Sequence, residues 1–332
     1  MKVDYHLHLE EGPYSLRWLD RTNQALDHFE PLDEEKHTLP WLEKSMERLA
    51  KRMQNGAYDA AWLDLYLEEA KRKGLSEVGI VDHLYRFKET RAYFEKYLDL
   101  SDTEIGRKQQ VWLDQVMTES MADFVAAINE AKPRWAEEGI TLRLGIEADY
   151  FPGSDEELKQ LLGKFEWDYV IGSVHYIYGW GFDNPETKEQ FENYNLADLY
   201  KNFFKVVEEM IRSGIFQFVA HLDNLKVFNY RPDEALLMPL YEKIAQALVE
   251  TDTATEINAG LYYRYPVQEM CPSPKFLDVL IEAGVPFTTS SDSHFPDDIG
   301  AYIDQNTNTL LQKGITKIAT FQNKQRTMKP LG

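Results

Sequence analysis

Short apolar, β-branched segments recur along the chain, and each runs into polar chemistry at its C-terminal end. They are KVDYHLH near the start, EVGIVDH ending at His83, LRLGIEADY ending at Tyr150 and DYVIGSVHY ending at Tyr176. QFVAHLD ending at Asp223, TATEINAG ending at Gly260 and PFTTSSDSH ending at His294 complete a set of seven. Such runs suit strands covered on both faces, as in a parallel sheet. Between them lie helical patterns. WLDLYLEEAKRKG (Trp62 to Gly74) has apolar residues at helical spacing, a basic end and a glycine stop. LADLYKNFFKVVEEMIRSG (Leu196 to Gly214) and SPKFLDVLIEAG (Ser273 to Gly284) have the same form. Strand and helix in repeated alternation predict an α/β fold with a parallel sheet. Seven units favour a barrel or incomplete barrel over an open doubly wound sheet, and no Gly-rich dinucleotide fingerprint follows any strand.

Two stretches interrupt the repeat. Residues from about Glu10 to Asp59 are long, charged and aromatic, with a helix expected around Leu42 to Gln54. Residues from about Arg86 to Arg134 carry a second helical insertion. Each follows a strand end, where barrel loops build active sites. They are expected to be lids or walls, within one domain spanning 1–332.

Composition narrows the partners. Lys plus Arg number 36 against 56 for Asp plus Glu, a net charge of −20. Such a surface repels nucleic acid and anionic membranes, so neither is an expected partner. A phosphorylated small metabolite is still admissible, because bound cations reverse the local field. One cysteine, Cys271, excludes an internal disulfide and a Cys-rich zinc site. No stretch approaches the 18 apolar residues of a membrane span, and MKVDYHLH lacks the form of a signal peptide. The expected location is cytoplasmic.

Six of the eight histidines, namely His6, His8, His83, His175, His221 and His294, sit at predicted strand ends, with Asp82, Glu147 and Asp292 at equivalent places. One histidine on an apolar segment is more often a satisfied core residue than a ligand. Six at one barrel mouth are different, since each neutral imidazole needs partners that core packing does not supply. A polynuclear metal site satisfies them together. Imidazoles and carboxylates without thiolate suit zinc, iron or manganese. Period two puts His6 and His8 on one face, and Asp292 and His294 likewise. Glu147 has two oxygens and is able to bridge two ions. Asp149 is in phase with it and a weaker ligand candidate, while Asp82 points opposite to His83 and is read as orienting or structural. His28 and His37 are read as solvated loop residues.

The ordered set HxH, DH, lone Glu, GSVH, AH and DSH resembles the polymerase and histidinol phosphatase (PHP) superfamily. DYVIGSVHYIYGWGFDNP and TEINAGLYYRYPVQEMCPSP are most similar to its histidinol-phosphatase branch. The resemblance implies a distorted seven-stranded (β/α)7 barrel with helical insertions after the first and second strands, holding two to three divalent metal ions. It implies that His6, His8, Glu147 and Asp292 hold one metal, that Glu147, His175 and His221 hold a second, and that His83 and His294 hold a third. The family usually adds a histidine for the third ion shortly after HxH. Here the chain reads LEEGPYS, so either Glu10 or Glu11 substitutes, or that site is weak or empty.

Such a cluster suits phosphomonoester hydrolysis by a metal-bridging hydroxide. Basic candidates for the phosphate are Arg264 first, then Arg86, Lys226 and Arg231; a guanidinium grips two oxygens at once. Asp292 is the candidate proton donor or relay. The resemblance puts L-histidinol phosphate first among substrates, with Trp180, Tyr176, Tyr262 and Tyr263 as stacking candidates for its imidazole and Asp183 for its amine. A different small phosphate ester is the main alternative. A C–N or lactone hydrolase is disfavoured because Glu147, not a lysine, holds the bridging position. A nuclease is disfavoured by charge, and a non-catalytic metal-binding protein by the intact ligand set.

Overall fold

The computed structural model describes residues 1–10 and 12–331. Among these, the first four strands are β1 (Val3–Asp4), β2 (Glu77–Ile80), β3 (Thr141–Asp149) and β4 (Tyr169–Ser173). A small hairpin, β5 (Tyr176–Ile177) and β6 (Trp180–Gly181), follows β4. The parallel sheet resumes with β7 (Phe218–Val219), β8 (Ala254–Asn258) and β9 (Phe287–Ser290), and its order is β1-β2-β3-β4-β7-β8-β9. All seven are the segments read from the apolar runs.

Past the ends of β1 and β9 the sheet closes on itself. The Asp292 N–H donates to the His6 carbonyl at 2.8 Å, and the His8 N–H donates to the Ser293 carbonyl at 2.7 Å. Tyr5 N–H donates to the Thr289 carbonyl at 3.1 Å lower on the same seam. The result is a seven-stranded parallel barrel, strongly distorted because several strands pair over only two residues.

The chain between β1 and β2 holds α1 (Leu16–Phe29), α2 (Leu39–Asn55) and α3 (Ala60–Arg72). Helix α1 starts at Ser15, whose hydroxyl accepts from the Trp18 N–H, and α2 starts at Thr38, which accepts from Trp41. Only the second of these was expected from the sequence. Helices α4 (Arg91–Tyr97), α5 (Glu104–Val116) and α6 (Met121–Glu137) separate β2 from β3. The stretch from about Arg86 to Arg134, read as a helical insertion, holds these helices, and α6 packs along β3. Helices α7 (Asp155–Leu162), α8 (Leu196–Arg212), α9 (Met238–Glu250), α10 (Gly260–Arg264), α11 (Pro274–Glu282) and α12 (Ile303–Gln312) complete the outer layer.

The N-terminal end of the barrel is plugged. A C-terminal hairpin, β10 (Lys317–Gln322) and β11 (Gln325–Pro330), lays Phe321 against Tyr5, Tyr169 and Phe218. The Tyr5 hydroxyl accepts from the Phe321 N–H at 3.0 Å and donates to Glu77 at 2.6 Å. Tyr169 crosses the interior to donate to the Tyr5 carbonyl at 2.8 Å. A Cβ at Gly145 would meet that ring at 2.4 Å, so the strand there admits only glycine. With its lower end filled, the barrel offers its opposite end, where the strands finish, for chemistry. Among the described residues, no helix is long and apolar enough to cross a membrane.

Candidate metal centre

Five of the six strand-end histidines converge on Glu147, which is fully buried on β3, and His294 stacks on His8 beside them. Its carboxylate lies 2.8 Å from His83 Nδ1, 3.0 Å from His221 Nε2, 3.2 Å from His6 Nε2, 3.4 Å from His8 Nε2 and 3.6 Å from His175 Nε2. Asp292 Oδ1 reaches both His6 and His8, at 3.9 and 3.8 Å. Among the described residues, four groups of three donors have ligand atoms within 4.8 Å of one another: His6, His8 and Asp292; His6, Glu147 and His221; His83, Glu147 and His175; and His8, His83 and His294.

Backbone geometry aims two of these side chains. His221 and Asp292 have φ of 27° and 54°, in the left-handed region that non-glycine residues seldom occupy. Each follows a short strand end, and the turn swings its side chain inward. Strain of this kind is retained where surrounding structure enforces it. Gly260 makes room, since a Cβ there would meet the Asp292 carboxylate at 2.4 Å.

The donor set fits metal ions. Both ring nitrogens of His8, His6 Nε2, His83 Nδ1 and Glu147 Oε2 are buried and make no hydrogen bond. A buried polar atom without a partner costs roughly 1–3 kcal/mol, so five around one point are expensive unless a cation satisfies them. The rings of His83, His8 and His294 stack in a row, with centroids 4.1 and 4.3 Å apart. Burial pushes the pKa of His8 well below the ordinary histidine value, and the neighbouring His83 adds to this. Burial, with Arg264 and His8, does the same to His294. Neutral imidazole is the form that ligates. Burial works against the Glu147 carboxylate, but His83, His6 and the His221 hydrogen bond overcome it and hold it well below the usual carboxylate range.

Outside the donors stand two carboxylates that orient them. Asp149 Oδ1 is 2.7 Å from His175 Nδ1 and, against burial, raises that imidazole to about 10. Glu256, fully buried on β8, is 3.2 Å from His6 Nδ1 and accepts from the His221 N–H at 3.1 Å, from Asn258 at 2.8 Å and from the Ser290 hydroxyl. Carboxylate–imidazole pairs of this kind fix the tautomer so that the far nitrogen faces the metal. Glu256 was missed at the level of sequence, although a lone glutamate inside an apolar strand was the available signal. Asp149 was read as a weak ligand; here it backs His175 instead.

The remaining expectations divide. Arg264, Tyr176 and Asp183 line a cavity of about 890 Å³ that opens over the histidines, joined by Arg17, Tyr85 and Trp112. Arg264 donates to the Asp292 carbonyl at 2.9 Å. Arg86 and Lys226 do not line it. Arg86 is buried beneath α5, donating to the Val116 carbonyl at 3.1 Å, and Lys226 is buried against Asp223 and Glu269, both at 2.9 Å. Arg231 pairs with Glu269 at 2.8 Å. Trp180 packs on Tyr194 and Phe191 and donates to Thr187, which turns it from the opening. Tyr262 and Tyr263 pack against Tyr302. Asp82 accepts from the Tyr58 hydroxyl at 2.5 Å and from the His83 N–H. His28 and His37 are exposed. Glu10 is buried but committed elsewhere, to Arg52 at 2.6 Å and to the Trp18 indole N–H, and it joins none of the converging groups found among the described residues. Glu11 lies outside the described residues.

Comparison with known proteins places this arrangement. The chain is 37% identical over 193 residues to a probable histidinol-phosphatase of Deinococcus radiodurans, covering 57% of this chain and 72% of that one. A probable histidinol-phosphatase of Schizosaccharomyces pombe is 22% identical over 272 residues, 78% of this chain and 84% of its own. Among solved structures, histidinol phosphate phosphatase of Lactococcus lactis, complexed with zinc, L-histidinol and phosphate, superposes with a TM-score of 0.67 at 16% identity, covering 98% of both chains. The model of the PHP domain matches residues 60–260. A barrel that gathers these histidines on a shared glutamate, and a family match over more than half its length, place this chain in the PHP domain family.

Proposed function

We propose that this chain is a metal-dependent phosphomonoesterase that hydrolyses L-histidinol phosphate to L-histidinol and phosphate, as one hydrolase domain spanning 1–332. The observation that carries the reading is the convergence of six imidazoles, Glu147 and Asp292, with five buried donor atoms that lack hydrogen bonds. Its similarity to enzymes described as histidinol-phosphatases supplies the substrate. Two to three ions of zinc, iron or manganese would be held by His6, His8, Glu147 and Asp292; by Glu147, His175 and His221; and by His83 and His294. Bound there, they supply a water acidic enough to be hydroxide at neutral pH and charge to offset the phosphate oxygens.

The chain's own groups do the rest. Arg264, held on the Asp292 carbonyl, presents a planar guanidinium to two phosphate oxygens. Asp292, beside it, is placed to pass a proton to the leaving alkoxide. Asp183 is half-buried in the wall, where desolvation raises its pKa and His175 opposes that. An arriving ammonium group gives it the counter-charge that keeps it ionised. Tyr176 and Tyr85 supply flat walls for an imidazole.

Zinc- or manganese-loaded protein should release phosphate from L-histidinol phosphate far faster than from p-nitrophenyl phosphate, and His175→Ala should abolish both. Equal slow rates on the two esters would remove the substrate assignment and leave the class. A second reading, a larger phosphate ester, is favoured by one observation: about 890 Å³ is near the upper end for a small-ligand site. A panel of phosphate esters separates the two.

A further inference from the structure

The mouth of the centre carries a cation that neither the ligand set nor the phosphate candidates read from the sequence include. Arg17, in the first turn of α1, lines the main cavity and also a smaller one of about 220 Å³ beside it. Arg264 and His294 line both as well. The two guanidiniums therefore face shared space next to the centre. Arg17 is exposed, and it makes no hydrogen bond or ion pair among the described residues. The carboxylates at the smaller cavity are engaged: Asp298 pairs with Arg21 at 2.9 Å and Asp20 accepts from Gln24 at 2.8 Å.

The backbone under Arg17 is not free to wander. Its neighbour Trp18 is buried, and the Trp18 indole donates to Glu10, which is itself paired with Arg52 of α2. Ser15 caps the turn from the other side. Glu10 thus pins α1 over the opening. It follows the HxH stretch, where an additional histidine for a third ion was expected, and spends its charge on Arg52.

We propose that Arg17 is a second phosphate-binding arm, closing on the anion from α1 while Arg264 holds it from α10. The inference rests on the phosphatase reading and deepens it: this chain supplies from its insertion a fixed positive charge at the edge of the site. Guanidiniums on two different elements grip a tetrahedral anion from two sides, which one side chain cannot do. The anion in turn ties α1 to the barrel.

The test titrates inorganic phosphate into the zinc-loaded protein by calorimetry, beside steady-state kinetics on L-histidinol phosphate. Arg17→Ala should weaken phosphate binding by about tenfold to a hundredfold, the worth of a charge-assisted hydrogen bond, and raise KM more than it lowers kcat. Arg17→Lys should fall between, because an ammonium is a point charge. Lys51→Ala, an exposed cation away from the mouth, should change neither and so exclude a general loss of positive charge. Phosphate affinity in Arg17→Ala equal to wild type overturns the proposal whatever the activity. Wild-type protein that binds phosphate through Arg17 but does not hydrolyse L-histidinol phosphate upholds this inference and removes the substrate.

Discussion

At the residue scale, the centre depends on carboxylates that would never touch the metal. Glu256 holds His6 by one nitrogen and the His221 backbone by its N–H. Glu256→Gln keeps the shape but removes the charge that, against burial, raises His6. Loss of such a supporting group typically costs 10–100-fold in metal affinity. Zinc titration of the variant should show that loss, while its circular dichroism matches wild type. Lys226 tests the opposite case, a charge that the site does not use. It is the common partner of Asp223 and Glu269 and is almost fully buried. Lys226→Met should destabilise by about 3–5 kcal/mol, the price of leaving buried charges unpaired. Chemical denaturation reads this directly, and zinc affinity of the folded fraction should not change.

At the scale of elements, the insertion and the terminal hairpin do different jobs. The hairpin closes the bottom of the barrel with one ring. Phe321→Ala should cost about 3–5 kcal/mol as a large-to-small core change, with kcat unaltered because the site is at the other end. The sequence made the seven strands readable because a buried parallel strand is a continuous apolar run, and each of these ends in a residue with ligand chemistry. It did not make α1 readable. There Leu16 and Leu19 face solvent, while Trp18, Thr22 and Ala25 are the buried positions, so the apolar pattern marks the wrong face. The hairpin was missed for a related reason. Asn323 and Lys324 both take positive φ in its turn, but Asn-Lys is a weaker turn signal than Asn-Gly. The metal ligands were legible as an ordered set. Their supports were not, because the meeting of Glu256 with His6 depends on strands β1 and β8, which are 250 residues apart.

For the whole molecule, metal and fold are linked. Ions bound only by the native state stabilise it by mass action, about 4 kcal/mol at a thousandfold excess over the dissociation constant. Chelation should therefore lower the melting temperature by several degrees, and adding zinc back should restore it. A melting temperature indifferent to chelator would contradict the fit of the donor set. The charge of −20 bears on the same balance, since it repels itself and lets divalent cations accumulate near the mouth.

The seam between the first and last strands of the barrel carries one more consequence, and it concerns time. His6 and His8 lie far from Asp292 and Ser293 along the chain, yet the Asp292 N–H bonds to the His6 carbonyl and the His8 N–H to the Ser293 carbonyl. During synthesis β1 must wait, unpaired on that edge, until β9 has emerged. Domains dominated by such distant pairings fold slowly. Capture of an ion by His6, His8, Glu147 and Asp292 would then mark the moment at which the barrel has closed, and a nascent chain halted before Asp292 should lack that ion.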